Sequence, residues 1–327
     1  MVSDNSIDIK ENDILRRDPK LLDLLLLDRT TGMNIKWATH DYAQHGKDFL
    51  YGDQIRVHCI THRYGRIIRP RVSKSKKEQH YRLRDKAEVF TPSWICNCQN
   101  NLIDEKWFGK KSVFNKEMGK EWTTNQQPIQ FDNLRGKRWQ DYVFDIRIEI
   151  TCGEAPYLVS RYDNATGKSI PIENRIGILD RKLRVVTENT STCWEWYKWA
   201  KYAYKSVYGY EWQGDNLLLA RENLLFTFID FFQAKFGRIP AKQETREIAN
   251  IISWNIWQMD GLKCVVPDTC RYVLARTSLN IEGGPEAKYI PCPGCETGDI
   301  HQHNGIYCRI KDWDKNRTVL FKSLITL

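Results

Sequence analysis

Three short apolar runs between residues 141 and 265, each closing on an acidic residue or a glycine, limit most strongly what this chain can fold into. Val143 to Ile148 alternates in character and passes through Glu149 into the turn Thr151 to Gly153. Val207 to Trp212 contains Glu211 and feeds Leu217 to Phe232, a stretch of high helical propensity. Ile251 to Met259 ends at Asp260 and Gly261. Strands that end in such turns and feed helices predict an α/β unit, a predominantly parallel sheet with helices on both faces and a ligand at its carboxyl edge.

The flanking segments read differently. Ile14, Leu15, Leu21, Leu22, Leu25 and Leu26 recur at helical spacing and predict one helix over 11–28, capped by Asp13. Alternation at Ile55, Val57 and Cys59 predicts a strand over 51–60. Residues 87–108 read as a short helix, and the polar stretch 109–140 as a linker or excursion. The aromatic run Trp194 to Tyr204 reads as a helix burying its rings, with base stacking as the alternative.

Charge adds a direction. Fifty Lys and Arg against 41 Asp and Glu favour an acidic partner such as nucleic acid. Ten of those cations fall in residues 63–86, where Arg69, Arg71, Lys74, Lys76 and Lys77 read as contacts to DNA phosphates or as a solvated loop. The longest apolar stretch, Leu21 to Leu27, is broken by Asp23 and too short to cross a bilayer, and no secretory signal is evident. The expectation is a cytoplasmic protein whose ten cysteines stay reduced, as metal ligands or packing residues.

At the three strand ends the chemistry is specific. Glu149 with Gly153 suits an amine or hydroxyl approached by backbone, Glu211 can take both hydroxyls of a ribose, and Asp260 can accept from an adenine amine. An adenosine-type ligand fits this order. With Phe90 to Pro92 ahead of it, and Ala220 to Leu224 following Glu211, the order resembles the adenine-N6 DNA methyltransferases of restriction–modification systems, in particular chains described as restriction endonuclease subunit M. The likeness spans roughly residues 20 to 263. It implies a Rossmann-like methyltransferase sheet holding S-adenosylmethionine, with Thr91, Glu149, Cys152, Gly153, Glu211 and Asp260 as its contacts. Two departures stand out: Ala155 replaces the second loop glycine, and the Asn/Asp-Pro-Pro-aromatic tetrad that orients a flipped adenine is absent from the sequence.

The tail carries a separate signal. Cys292, Cys295, Cys308 and one of His301 and His303, with His303 preferred, offer the four ligands of a tetrahedral zinc. Cys96 and Cys98 are spaced too closely for such a knuckle and read as packing residues. The whole predicts an N-terminal helical and basic segment (1–86), a methyltransferase-like domain (87–270) and a small C-terminal Cys/His module (271–327). The function expected is an S-adenosylmethionine-binding modification subunit acting on double-stranded DNA with a restriction or specificity subunit, or with a chain that supplies the tetrad. The alternative is a non-catalytic DNA-binding or interaction subunit.

Overall fold

Asp18 splits the first helical stretch in two. In the computed structural model, which describes residues 7–86, 88–89, 91–131, 136–275 and 288–325, α1 (Glu11–Arg17) stops where Asp18 turns extended, and α2 (Pro19–Leu26) restarts at Pro19. Asp18 Oδ1 accepts from Lys20 N at 3.3 Å, and its carboxylate is also held by Arg246 at 2.6 and 2.8 Å. An aspartate N-cap followed by proline is a strong start signal, and here it overrides the continuous apolar stripe that predicted one helix.

The expected strand at 51–60 is also replaced. Gln54 makes an isolated bridge to Lys36, and α3 (Val57–Ile60) is a single helical turn. Ile55 and Cys59 are buried although no strand carries them, so the alternation reflects an irregular chain laid across a core. Half of the basic stretch is helical, in α4 (Lys76–Lys86), and α5 (Ser93–Phe108) starts directly after Pro92. The predicted excursion contains a hairpin, β1 (Asn115–Met118) with β2 (Glu121–Thr124), pinned where Trp122 Nε1 donates to Asn174 O at 2.9 Å.

The α/β rhythm is present, with shorter strands than predicted. Residues 143 and 144 end α6 (Trp139–Phe144), so β3 is Arg147–Glu149. Next come α7 (Ile178–Asn189), α8 (Cys193–Lys205) and β4 (Val207–Glu211). The 23-residue α9 (Gly214–Phe236) precedes α10 (Lys242–Asn255), which takes the first half of the third apolar run and leaves β5 as Ile256–Gln258. The three strands form a parallel sheet in the order β3-β4-β5. Trp196 packs against Phe228, Phe232 and Phe236, so the aromatic run serves the core, while Trp194 is exposed.

The two faces of the sheet have different covers. Val207 and Ile256 point into a large core that also contains Leu21, Leu22, Leu25 and Leu26 of α2, so the N-terminal helices and the sheet share one interior. Tyr208, Tyr210 and Trp257 point the other way, into a smaller cluster with Cys308, Ile310 and Phe321. That cover comes from Cys264 and Val266 after β5 and from the last part of the C-terminal segment, which runs through β6 (Val273–Ala275), β7 (Lys288–Ile290) and α11 (Pro293–Thr297) to β8 (Arg309–Asp312) and β9 (Arg317–Leu320), with Ile310 of β8 and Val319 of β9 in the cluster. Helices on both faces were expected; the described residues instead put the module on one of them. The fold is mixed α/β with small sheets.

Polar groups are buried along α9. Glu222 is fully buried and neither carboxyl oxygen has a hydrogen-bond partner among the described residues, with Glu11 nearby in the same state at one oxygen. Burial, followed by repulsion from Glu11 and Asp8, pushes the Glu222 carboxyl well above its ordinary range. The folded chain therefore binds a proton there that the unfolded chain loses, and this contribution to stability declines as pH rises past the ordinary carboxyl range. Glu222→Gln should stabilise the chain by ~1–3 kcal/mol at about pH 8, with the gain shrinking toward about pH 4. Thermal unfolding of both proteins across that range checks this; a destabilised variant, or a difference that ignores pH, would contradict it.

Candidate functional site: a carboxylate-rimmed cavity and a Cys/His cluster

Glu149 and Glu211 are the last residues of adjacent parallel strands, and both line a cavity of about 1030 Å³ at the carboxyl edge of the sheet. Thr91, Cys152 and Gly153 line the same cavity, so five of the six residues expected to contact a cofactor come together. Phe90, the first residue of the Phe90 to Pro92 motif, lies outside the described residues. Residues that sequence reasoning missed, among them Tyr157, Trp212, Gln213 and Asn216, complete the wall. Gln213 and Asn216 follow Glu211 at the start of α9, and that proximity was the signal available.

Asp260 is the exception. It closes the turn after β5, where Oδ1 accepts from Leu262 N at 3.1 Å and Oδ2 lies 3.4 Å from Lys263 Nζ. Its carboxyl lines a separate, smaller cavity of about 230 Å³ beside Cys270, Cys292 and Cys295.

The loop after β3 is shaped by the two glutamates. Glu211 Oε2 accepts from Gly153 N at 2.8 Å and Oε1 from Gln213 N at 3.1 Å. Glu149 accepts from Tyr157 N at 3.3 Å and Leu158 N at 3.1 Å. Cys152 N donates to Tyr210 O at 2.8 Å, and its thiol packs so closely that a Cβ on Gly209 would sit 3.3 Å from it. Between these anchors Thr151, Gly153 and Ala155 all have positive φ, at 46°, 53° and 62°. Ala155 therefore keeps the backbone conformation that favours glycine, despite a steric cost of ~1 kcal/mol. A Cβ on Gly153 would meet nothing within 4 Å, so a ligand can approach that backbone directly.

Electrostatics sharpen the picture. Burial pushes the Glu149 carboxyl up to about 8, against the pull of the Tyr157 and Leu158 amides and with the help of the neighbouring Glu211 charge. Burial likewise raises Glu211, while the Gln213 and Gly153 amides oppose it. Two carboxyls held apart from water around an open backbone suit a ligand that brings positive charge and hydroxyl donors.

The basic stretch divides into buried and exposed parts. Lys74 is buried with Nζ 3.5 Å from Asp215 Oδ2, and Arg69 lies 3.3 Å from Glu78. Arg71 donates its backbone N–H to Glu154 Oε1 at 2.7 Å. Lys76 and Lys77 are exposed on α4. Arg82, which sequence reasoning did not single out, is buried among Asp41, Glu88 and Asp215.

Cys270 meets Cys292, Cys295 and His303 of the tail, with their ligand atoms within 4.8 Å of one another. His303 Nδ1 is 3.6 Å from Cys270 Sγ, 3.6 Å from Cys292 Sγ and 3.7 Å from Cys295 Sγ. Ligands bonded at about 2.0–2.3 Å around a tetrahedral ion sit roughly 3.3–3.8 Å apart, so this set can hold a metal. Gly294 makes the knuckle possible, since a Cβ there would lie 2.5 Å from His303 N. Cys308 is corrected: it is fully buried in the second core, its thiol facing Gln258 O at 3.4 Å, and Cys270 takes its place. Cys270 precedes the tail segment, so the compact spacing of Cys292, Cys295 and Cys308 gives no hint of it.

Purified protein should carry one tetrahedral metal ion per chain, lost in Cys270→Ser and retained in Cys308→Ser. Elemental analysis of the three proteins checks this, and metal retained by Cys270→Ser, or lost by Cys308→Ser while folded, would contradict the ligand set.

Comparison with protein-family models, curated proteins and solved structures finds no match to this chain, so the chemistry of these residues carries the functional reading.

Proposed function

We propose that the chain is an S-adenosylmethionine-binding modification subunit of a restriction–modification system, related to DNA adenine-N6 methyltransferases, and that a partner chain completes catalysis. The observation that carries this reading is the pair of buried carboxyls, Glu149 and Glu211, flanking the open Gly153 backbone in one cavity. When bound, S-adenosylmethionine supplies an electrophilic sulfonium methyl, beside an ammonium and a ribose diol that match these acceptors. Glu211 takes the ribose hydroxyls, Glu149 faces the ammonium, and Thr91 lies along the methionine end. Catalysis on this reading comes from positioning and charge stabilisation.

Support for a partner comes from the rim of the cavity. Among the described residues β3 is an edge strand; Ile148, paired with Tyr208, is 46% exposed, and Ile146 and Ile150 on either side of the strand are 64% and 65% exposed. An unpaired edge with exposed isoleucines is a template for another strand. Since Ile148 and Ile150 also line the cavity, such a strand would place its residues beside the cofactor. DNA would lie against the exposed cations of α4, Lys76 and Lys77, with Arg69 and Arg71 behind them.

Zinc is the metal we assign to the Cys270, Cys292, Cys295 and His303 set, because thiolate and imidazole ligands in tetrahedral array suit it. Its role is structural, tying the segment after β5 to the C-terminal module. A second reading, a non-catalytic DNA-binding or interaction subunit with the same cavity, is favoured by the absent tetrad and by the separation of Asp260 from Glu149 and Glu211.

Calorimetric titration with S-adenosylmethionine tests the cofactor. Glu211→Ala should weaken binding by about tenfold or more, the loss of a charged hydrogen-bond acceptor. Because Glu149 holds a proton up to about 8, a cationic ligand expels it, and affinity should rise with pH toward that value and then level off. No binding to the folded parent, or binding that ignores both Glu211 and pH, would overturn the proposal.

A further inference from the structure

Beside the large cavity lies a second, of about 520 Å³, whose lining is electropositive. Arg63, Arg66, Arg69, Lys74 and Arg82 face it against two carboxylates, Asp41 and Glu78. Arg82 is fully engaged: its guanidinium reaches Asp41, Glu88, Asp215, Gln213 and Asn216. Glu78 is taken as well, by Ser75 N at 2.7 Å and by Arg69.

Lys74 is in a different state. Its side chain is 5% exposed, and Nζ, 3.5 Å from Asp215 Oδ2, makes no hydrogen bond among the described residues. An ammonium carries three donors, and a buried one seeks acceptors for all of them. Arg69 Nε is also buried without a hydrogen-bond partner among the described residues. Two cations with unspent buried donors on one cavity, and an exposed Arg66 on its rim, form a cradle for an anion with several acceptor oxygens.

The same cavity offers aromatic surface. Tyr64 and Tyr81 line it; Arg63 and Phe49 already pack on the Tyr64 ring, at 4.6 and 4.9 Å from its centre, and the exposed Tyr81 ring is the open one. Stacking on such a ring holds a nucleic-acid base by ~1–3 kcal/mol whatever its identity. The volume falls in the range of small-molecule sites, roughly 300–1,000 Å³.

We propose that this second cavity binds a nucleoside monophosphate, with the phosphate on Arg66, Arg69 and Lys74 and the base against Tyr81. The proposal shares Arg69 and Lys74 with the DNA contacts read from the sequence and stands whether or not S-adenosylmethionine binds. Arg82 forms the partition between the sites, lining this cavity while its partners Glu88, Gln213 and Asn216 line the other.

The test is a calorimetric titration of the full chain with 2′-deoxyadenosine 5′-monophosphate. Saturable binding is expected, weakened by about tenfold or more in Arg66→Ala, in Lys74→Gln, and for the nucleoside without its phosphate. Arg66 is exposed, so its variant remains informative if the buried Lys74→Gln fails to fold. Absence of binding to the folded parent, or an affinity that neither Arg66→Ala nor removal of the phosphate weakens, would overturn the proposal. Displacement of the nucleotide by a DNA duplex would name DNA as the source of the phosphate, and retention would name a free nucleotide; both keep the site. Failure of S-adenosylmethionine to bind would remove the cofactor reading and leave nucleotide binding at this second cavity unchanged.

Discussion

The Arg221 guanidinium, fully buried a third of the way along α9, ties that helix to two others by satisfying carbonyls at the end of α2 and at the junction of α10 with β5. Its Nη1 donates to Leu25 O at 2.6 Å and Leu27 O at 3.1 Å, at the end of α2; its Nε donates to Ile256 O at 2.8 Å and Nη2 to Ser253 O at 3.4 Å, at the end of α10. Helix carboxyl ends leave carbonyls without intrahelical partners and carry partial negative charge. One cation in a dry interior answers both ends, although burial pushes its pKa down to about 9. By fixing the junction of α10 and β5, Arg221 also fixes where the sheet begins.

Neighbouring residues of α9 extend that control to the cavity. Asn223 Nδ2 donates to Glu154 O at 3.1 Å, and Glu154 in turn accepts from Arg71 N and, at 2.7 Å, from the Tyr162 hydroxyl. Asp215, in the first turn of α9, accepts from Arg82 and, at 2.8 Å, from the Tyr42 hydroxyl, and these partners hold its carboxyl far below the usual range despite burial. The loop after β3, the basic stretch and the N-terminal segment are therefore wired to one helix. The stretch Ala220 to Leu224 that supports the sequence resemblance carries the two residues, Arg221 and Asn223, that do this wiring.

The parts of the fold legible in sequence were those governed by local pattern. Glu149 and Glu211 could be placed at strand ends because the apolar runs before them were short and followed by turn residues, and α9 because Leu217 to Phe232 is dense in helix formers. The illegible parts depend on contacts distant in the chain. Asp18 breaks the first helix with help from Arg246, 228 positions away. Lys74 looks solvent-bound among its neighbours, yet Asp215 draws it inside. Cys308 fits a local ligand spacing, yet it faces Gln258 in the second core, and the loop after β5 supplies Cys270 instead.

On the proposed reading, S-adenosylmethionine binds between the loop after β3 and the start of α9. Hydrogen exchange of the full chain, with and without saturating S-adenosylmethionine, tests it most directly. Slowed exchange is expected at Gly153, Tyr157, Leu158 and Gln213, whose amides are the ones Glu149 and Glu211 hold. Unchanged exchange at those four amides, or protection confined to other segments, would contradict it.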